Sequence, residues 1–128
     1  MFGALSVLMT ETHFLNIDLD IESEHDITSL INELETKELI ILHRERKSAT
    51  LESNLDGKEI LDSFDKAISS LSNESKKLWD SSYLKVFDIG FDSGDEPRIY
   101  QYDFSNKEVK IIATLGATMK VTIYAESE

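Results

Sequence analysis

The sequence has no cysteine and a single proline, Pro97, and these absences already restrict what the chain can be. Without cysteine there is no disulfide and no thiolate metal ligand, which suits a reducing compartment such as the cytosol. No apolar run approaches the roughly 18 residues that a membrane-spanning helix needs. The five glycines lack the spacing of a phosphate-binding loop. The sequence therefore gives no sign of a disulfide framework, a membrane span or a nucleotide site.

Basic residues are also scarce. The 128 residues include 25 Asp and Glu but only 13 Lys and Arg, giving a formal net charge of -12, while 41% of the residues are hydrophobic. This length and apolar content predict one domain, residues 1–128, with a single core. So large a charge adds self-repulsion to the folded state, which favours a use for it, most simply binding to a basic partner. It also disfavours binding to nucleic acid or to anionic lipid.

The N-terminal segment is apolar from Met1 to Met9, but no Lys or Arg precedes the apolar run. Gly3 and Ser6 interrupt it, and no convincing cleavage site follows. We interpret residues 1–12 as a docked or frayed N-terminus rather than a signal peptide.

Hydrophobic periodicity predicts the element order β-α-β-α-α-β-β-α-β. Alternation over 14–21 indicates a half-buried strand. Asp18 and Asp20 lie on its solvated side, and its buried side carries Leu15, Ile17, Leu19 and Ile21. Residues 83–91 are apolar at both parities, which indicates a central strand covered on both faces. The turn residues 93–97 and the segment 98–104 predict a hairpin partner for that strand. The other predicted elements are a helix opening at Ser23, a strand over 38–44, a long helix after Asp56, a short helix near Trp79, a helix from Ser105 to Gly116 and a strand over 118–124, with a loop over 50–55.

This order predicts an α+β fold with one mainly antiparallel sheet and helices packed on one face. The other face should stay partly open and carry the polar side of each strand. In the last strand, Met119, Val121 and Ile123 are expected on the buried side.

No residue pattern indicates an enzyme. His13, His25 and His43 are isolated in the sequence, and no serine lies in a Gly-x-Ser-x-Gly elbow. The basic patch 43–47 has no interleaved aromatics, so it is better explained as a charged end of an edge strand than as a nucleic-acid site. We expect no catalytic residues, no cofactor and no metal.

Two acidic groups are candidates for partner binding. Asp18 and Asp20 belong to the first strand, and the second group lies around the predicted hairpin turn: Asp88, Asp92, Asp95 and Glu96. The second group lacks the register and the distal glutamate of a calcium loop, so ordinary turn residues or a contact loop explain it better than a metal site.

Tyr100 and Tyr102 share one parity with Phe104. Such an aromatic ladder is core more often than surface. If the tyrosines instead face outward beside Asp18 and Asp20, they form an acidic and aromatic binding surface.

The second half of the chain contains Val86-Phe-Asp-Ile-Gly-Phe-Asp-Ser-Gly94, then Ile111-Ile-Ala-Thr-Leu-Gly-Ala117 and Val121-Thr-Ile-Tyr124. With the strand that precedes Asp26-Ile-Thr-Ser-Leu30, this resembles a family of small bacterial domains of unknown function that includes candidate immunity proteins of polymorphic toxins. The Met1-Phe-Gly3 start is similar to some immunity proteins of contact-dependent growth inhibition systems. The resemblance implies neutralisation of a toxin in the cytosol, and it supplies no catalytic residue.

The leading hypothesis is therefore an immunity protein that binds a cognate, basic, nuclease-type toxin domain and blocks its active site. The residues expected to bind the partner are Asp18, Asp20, Asp88, Asp92, Asp95, Glu96, Tyr100 and Tyr102. Two alternatives remain, an acidic domain that binds a small ligand or metal ion and a non-enzymatic adaptor whose charge serves solubility alone.

Overall fold

The computed structural model describes residues 11–96 and 98–125, and every structural statement below refers to them. The expectation of a docked or frayed N-terminus concerns mainly residues 1–10, which lie outside the described residues, as does Pro97 of the predicted turn. Glu11, the first described residue, forms an isolated parallel bridge with Glu96.

Five strands and four helices follow one another in the order β1-α1-β2-β3-α2-α3-β4-α4-β5. The elements are β1 His13–Glu22, α1 Thr28–Glu35, β2 Leu39–Arg44, β3 Ser48–Ser53, α2 Ile60–Ser69, α3 Asn73–Ser81, β4 Leu84–Asp92, α4 Asn106–Thr114 and β5 Thr118–Tyr124. The strands form one sheet in the order β2-β3-β1-β4-β5. All neighbouring pairs are antiparallel except β4 and β5, which are parallel. The predicted α+β class is confirmed, and the sheet is mixed.

The predicted element order is wrong at two places. Residues 50–55, expected as a loop, lie mostly in β3, whose side chains alternate between buried Ala49 and Leu51 and outward Thr50 and Glu52. Residues 98–104, expected as a hairpin strand, do not form one. The physical reason is that both edges of β4 are already occupied, by β1 on one side and by β5 on the other.

The core lies between the helices and one face of the sheet. From the sheet it receives Leu19, Leu51, Phe87 and Ile89, and the helices add further buried side chains to the same cluster. Trp79 of α3 is fully buried, and its indole Nε1 donates a hydrogen bond to the carbonyl of Leu115 at 3.0 Å. Because the buried apolar side chains of the sheet all point to this side, the opposite face has no covering layer among the described residues. This matches the predicted open face, and it corrects the expectation that β4 is covered on both faces.

Local capping explains where the last helix starts and stops. Ser105 accepts a hydrogen bond from the backbone of Glu108, and the Glu108 side chain accepts one from the backbone of Ser105. This reciprocal capping box satisfies two amide groups that a helix start leaves free. Gly116 follows the helix with a φ of 72°, a left-handed conformation that glycine adopts without strain.

Two predictions about buried side chains are wrong. Leu15 is 42% exposed because a register shift between Phe14 and Asn16 turns Phe14, not Leu15, toward the core. Met119, Val121 and Ile123 do point to the helical side of the sheet. They remain exposed because β5 is the outermost strand, and the helices do not cover it fully.

Within the described ranges, no helix is long and apolar enough to cross a membrane.

Candidate functional site

The open face of the sheet carries a continuous group of carboxylates, which we call the acidic face. Alternation along each strand determines its membership, since the residues between these carboxylates point into the core. It consists of Asp18, Asp20 and Glu22 on β1, Glu52 on β3, and Asp88 and Asp92 on β4.

Strand register aligns three of these carboxylates in one row. Asp18 lies directly opposite Glu52 on one neighbouring strand and directly opposite Asp88 on the other. Directly opposed residues have Cβ atoms about 5 Å apart, and like charges in such pairs destabilise a sheet. The row is therefore an unfavourable arrangement that folding alone does not explain.

Asp18, at the centre of the row, shows the strongest electrostatic effect. Burial, followed by the negative charges of Glu52, Asp20 and Asp88, together raise the pKa of Asp18 from 3.8 to about 6. Within the described part of the chain, the Asp18 side chain accepts one hydrogen bond, from the Asn16 amide at 3.3 Å. Near neutral pH this carboxylate is charged in a place that favours its neutral form.

The acidic face is only partly neutralised. Among residues 11–96 and 98–125, the one lysine or arginine paired with these six carboxylates is Lys120, 3.8 Å from Asp88. The His13 imidazole lies 3.5 Å from Asp92 and forms an ion pair with it only when protonated. The shortest hydrogen bonds to these carboxylates come from threonine hydroxyls. Thr50 donates to Asp20 at 2.7 Å, and Thr122 donates to Asp88 at 2.6 Å. These hydroxyls orient the carboxylates without cancelling their charge.

The structure brings together some of the residues that the sequence singled out. Asp18, Asp20, Asp88 and Asp92 share the acidic face. Asp95 and Glu96 lie beyond the end of β4, exposed, in the loop that also contacts residues 11 and 12. Whether any of these six contacts a partner stays a prediction.

Tyr100 and Tyr102 lie on the other side of the sheet, so the expected acidic and aromatic surface does not exist as one face. Tyr102 stacks on Phe14 with ring centroids 5.3 Å apart, and both tyrosines contact the ring of Phe91, which points into the core. Burial raises the pKa of the Tyr102 hydroxyl, as do the charge of Glu108 and the nearby Tyr100. The core interpretation of this ladder was the better one for Tyr102, while Tyr100 keeps 37% of its surface exposed.

Sequence reasoning missed two members of the acidic face, Glu22 and Glu52. Glu52 was missed because residues 50–55 were assigned to a loop. The alternation Ala49, Thr50, Leu51, Glu52 was the signal that could have placed it. Glu22 continues the parity of Asp18 and Asp20, and this alternation was the signal that could have placed it on the same face.

The arrangement can attract cations, but it is not a metal cage. Among the described residues, no group of three or more His, Asp or Glu side chains is arranged to hold a metal ion. The carboxylates near the end of β4 also diverge, since Asp88 and Asp92 lie on the sheet while Asp95 and Glu96 lie beyond it. The chemistry available to these carboxylates is long-range attraction of positive charge and acceptance of hydrogen bonds.

No family model, curated protein or solved structure matches this chain.

Proposed function

We propose that this protein is an immunity protein, a non-enzymatic inhibitor that binds a cognate basic toxin domain of the nuclease type and covers its active site. The observation that carries the proposal is the row Glu52, Asp18 and Asp88, held in register on an open sheet face. The immunity assignment itself draws on the resemblance of the second half of the chain to candidate immunity proteins.

Charge complementarity supports a nuclease-type target. Nucleases need Lys and Arg to hold phosphate groups, and those side chains form a positive surface at the active site. A negative face is steered to such a surface, which raises association rates by 10-fold to 1,000-fold at low salt. A rigid sheet also holds its carboxylates in place, so little side-chain freedom is lost on binding.

The raised pKa of Asp18 supports an interface at the centre of this face. A charged Asp18 opposes folding at neutral pH, because burial and three neighbouring carboxylates favour its neutral form. A lysine or arginine of a partner placed beside Asp18 offsets that repulsion. Part of the binding free energy then comes from removing the unfavourable electrostatic energy of the free protein. An adaptor whose acidity serves solubility has no need to concentrate repulsion in one row.

A nuclease toxin has to be inhibited in the compartment that contains its nucleic-acid substrate. We therefore propose that this protein is cytoplasmic. The negative surface excludes nucleic acid from the face that binds the toxin. The toxin's nucleic-acid substrate therefore does not occupy the face of the immunity protein that binds the toxin.

The test requires a toxin domain encoded beside this gene, and it follows association of that domain with the protein by stopped flow at several salt concentrations. Neutralising the row with Glu52→Gln, Asp18→Asn and Asp88→Asn should slow association at least 10-fold at low salt and flatten its salt dependence. The matched control removes three exposed carboxylates outside the acidic face, with Asp56→Asn, Glu59→Gln and Glu74→Gln. Equal effects of the two triple variants contradict the assignment of the face. Failure of the wild-type protein to bind and inhibit that domain contradicts the immunity function.

A further inference from the structure

The outer edge of β5 is an exposed strand edge with no pairing partner among the described residues. Strand β5 pairs in parallel with β4 over seven consecutive positions, from Val86 and Thr118 to Asp92 and Tyr124, without a register shift. Its sequence, Thr118-Met-Lys-Val-Thr-Ile-Tyr124, contains no proline, no glycine and no carboxylate. Unpaired amide and carbonyl groups on such a regular edge can accept another strand.

The other edge of the sheet is better protected. Strand β2 has a register shift between Ile41 and His43, which disturbs its regular pairing geometry. Its last residue, Arg44, bonds to Asn32 and Glu35 of α1. Shifts and charged residues of this kind hinder the addition of a further strand. Of the two edges, β5 is therefore the one that is open to a partner strand.

Apolar side chains line the helical side of this edge. Met119, Val121 and Ile123 are 47%, 48% and 66% exposed, values far from those of core residues. Val121 and Ile123 border a groove of about 420 Å³ whose inner wall is formed by Phe91, Tyr100, Tyr102 and Phe104. An incoming strand would direct every second side chain into this groove.

The open side of the same edge adjoins the acidic face. Asp88 and Asp92 on β4 are the cross-strand neighbours of Lys120 and Tyr124 on β5. Lys120 is the one charged residue of β5, and its ammonium group lies 3.8 Å from Asp88. Long basic side chains on an added strand can reach this acidic margin.

We infer that an extended, basic segment of the partner protein adds to β5 as a sixth strand, with alternate residues in the aromatic groove and over the acidic face. This inference rests on the proposed function, because the partner's positive charge identifies the occupant. Charge argues against a second copy of this chain, since each copy carries -12 and would be repelled. The strand bonds supply affinity, and the alternation of apolar and basic side chains supplies specificity.

The test uses a synthetic seven-residue peptide of alternating lysine and valine, titrated into the uniformly labelled protein and followed by amide NMR shifts. We expect saturable shifts of the amides 118–124 at millimolar peptide. The same peptide with proline at its central valine should lose these shifts, because it cannot complete the strand pairing. Ile123→Lys should weaken peptide binding at least threefold. The control Lys120→Thr should strengthen it, because the substitution removes the one positive side chain of the edge.

Three outcomes overturn the inference. Shifts confined to β1 and β3 that vanish with added salt show charge attraction without strand addition. Shifts of residues 118–124 that grow with protein concentration alone assign the edge to a second copy. Shifts of the same amides on deletion of residues 1–10, with no response to the peptide, assign it to the N-terminal segment. None of these outcomes affects binding of the acidic face to the toxin domain, so the proposed function is tested separately.

Discussion

Replacing Asp18 with asparagine should stabilise the protein at neutral pH, against the usual direction of substitutions at half-buried sites. Asparagine keeps the shape of the side chain and can still accept the hydrogen bond from the Asn16 amide. It removes the charge that burial and the three neighbouring carboxylates disfavour. The wild-type protein therefore gives up stability at this position that the variant recovers.

The size of the gain follows from the pKa. A rise from 3.8 to about 6 corresponds to an upper limit of about 3 kcal/mol, because one pKa unit is worth about 1.4 kcal/mol. Asp18 is half-buried, so water and salt screen part of this repulsion. We expect a gain of about 1–2 kcal/mol at pH 7.5, which raises the urea midpoint by roughly 0.5–1 M.

The pH dependence of the stability provides a second test of the electrostatic effect at Asp18. The folded pKa of Asp18 lies above the unfolded one, so this group adds stability fully below about pH 4 and loses it as the pH rises through about 6. The difference between Asp18→Asn and wild type should accordingly shrink from pH 7.5 to pH 4 in urea unfolding followed by circular dichroism. Asp103→Asn, which changes an exposed carboxylate outside the strands, serves as the control. A variant no more stable than wild type at pH 7.5, or a difference that does not vary with pH, refutes the electrostatic account.

Two further substitutions test the packing and the backbone. Trp79→Phe should lower the free energy of unfolding in urea by about 2–3 kcal/mol, because it leaves the buried carbonyl of Leu115 without its donor and opens a small cavity. A loss below about 1 kcal/mol would contradict this prediction. Glu38→Gly should stabilise the protein by about 0.5–1 kcal/mol, because Glu38 has a φ of 63° and glycine adopts that conformation without strain. A lower thermal midpoint in the glycine variant would show that the Glu38 side chain contributes more than its backbone costs.

The sequence predicted the parts of the fold that depend on local chemistry. Ser105 starts its helix and Gly116 ends it as expected, because capping involves residues only a few positions apart. The alternation of β1 correctly placed Asp18 and Asp20 on the solvated face. These features need no knowledge of distant strands.

The predicted elements that the structure contradicts depend on which strands become neighbours in the sheet. The alternation of Tyr100, Tyr102 and Phe104 has the period of a strand, yet the segment packs its rings on Phe14 and Phe91 without pairing. Strand β5 takes the edge of β4 that this segment was expected to occupy. Hydrophobic alternation with a period of two indicates that every second side chain is buried. It does not indicate which strand, if any, pairs with the backbone of that segment.

The acidic face was predictable only in part for the same reason. Asp18 and Asp88 were named from the sequence, but their position in one row with Glu52 follows from strand register. Register is determined by long-range packing, which a single sequence does not display. The sequence left open which side of the sheet the tyrosines occupy, because a parity alone does not say which face of a sheet is covered.

The central claim is that a positively charged partner docks over Asp18, and proton release on binding tests it most directly. Titration calorimetry of the adjacent-gene toxin domain at pH 6, in two buffers of different ionisation enthalpy, measures the protons exchanged. At that pH about half of the Asp18 carboxyls carry a proton, so complex formation should release roughly half a proton more from the wild-type protein than from Asp18→Asn. Tight binding with no proton release, or with equal release from both proteins, would place the partner elsewhere on the molecule.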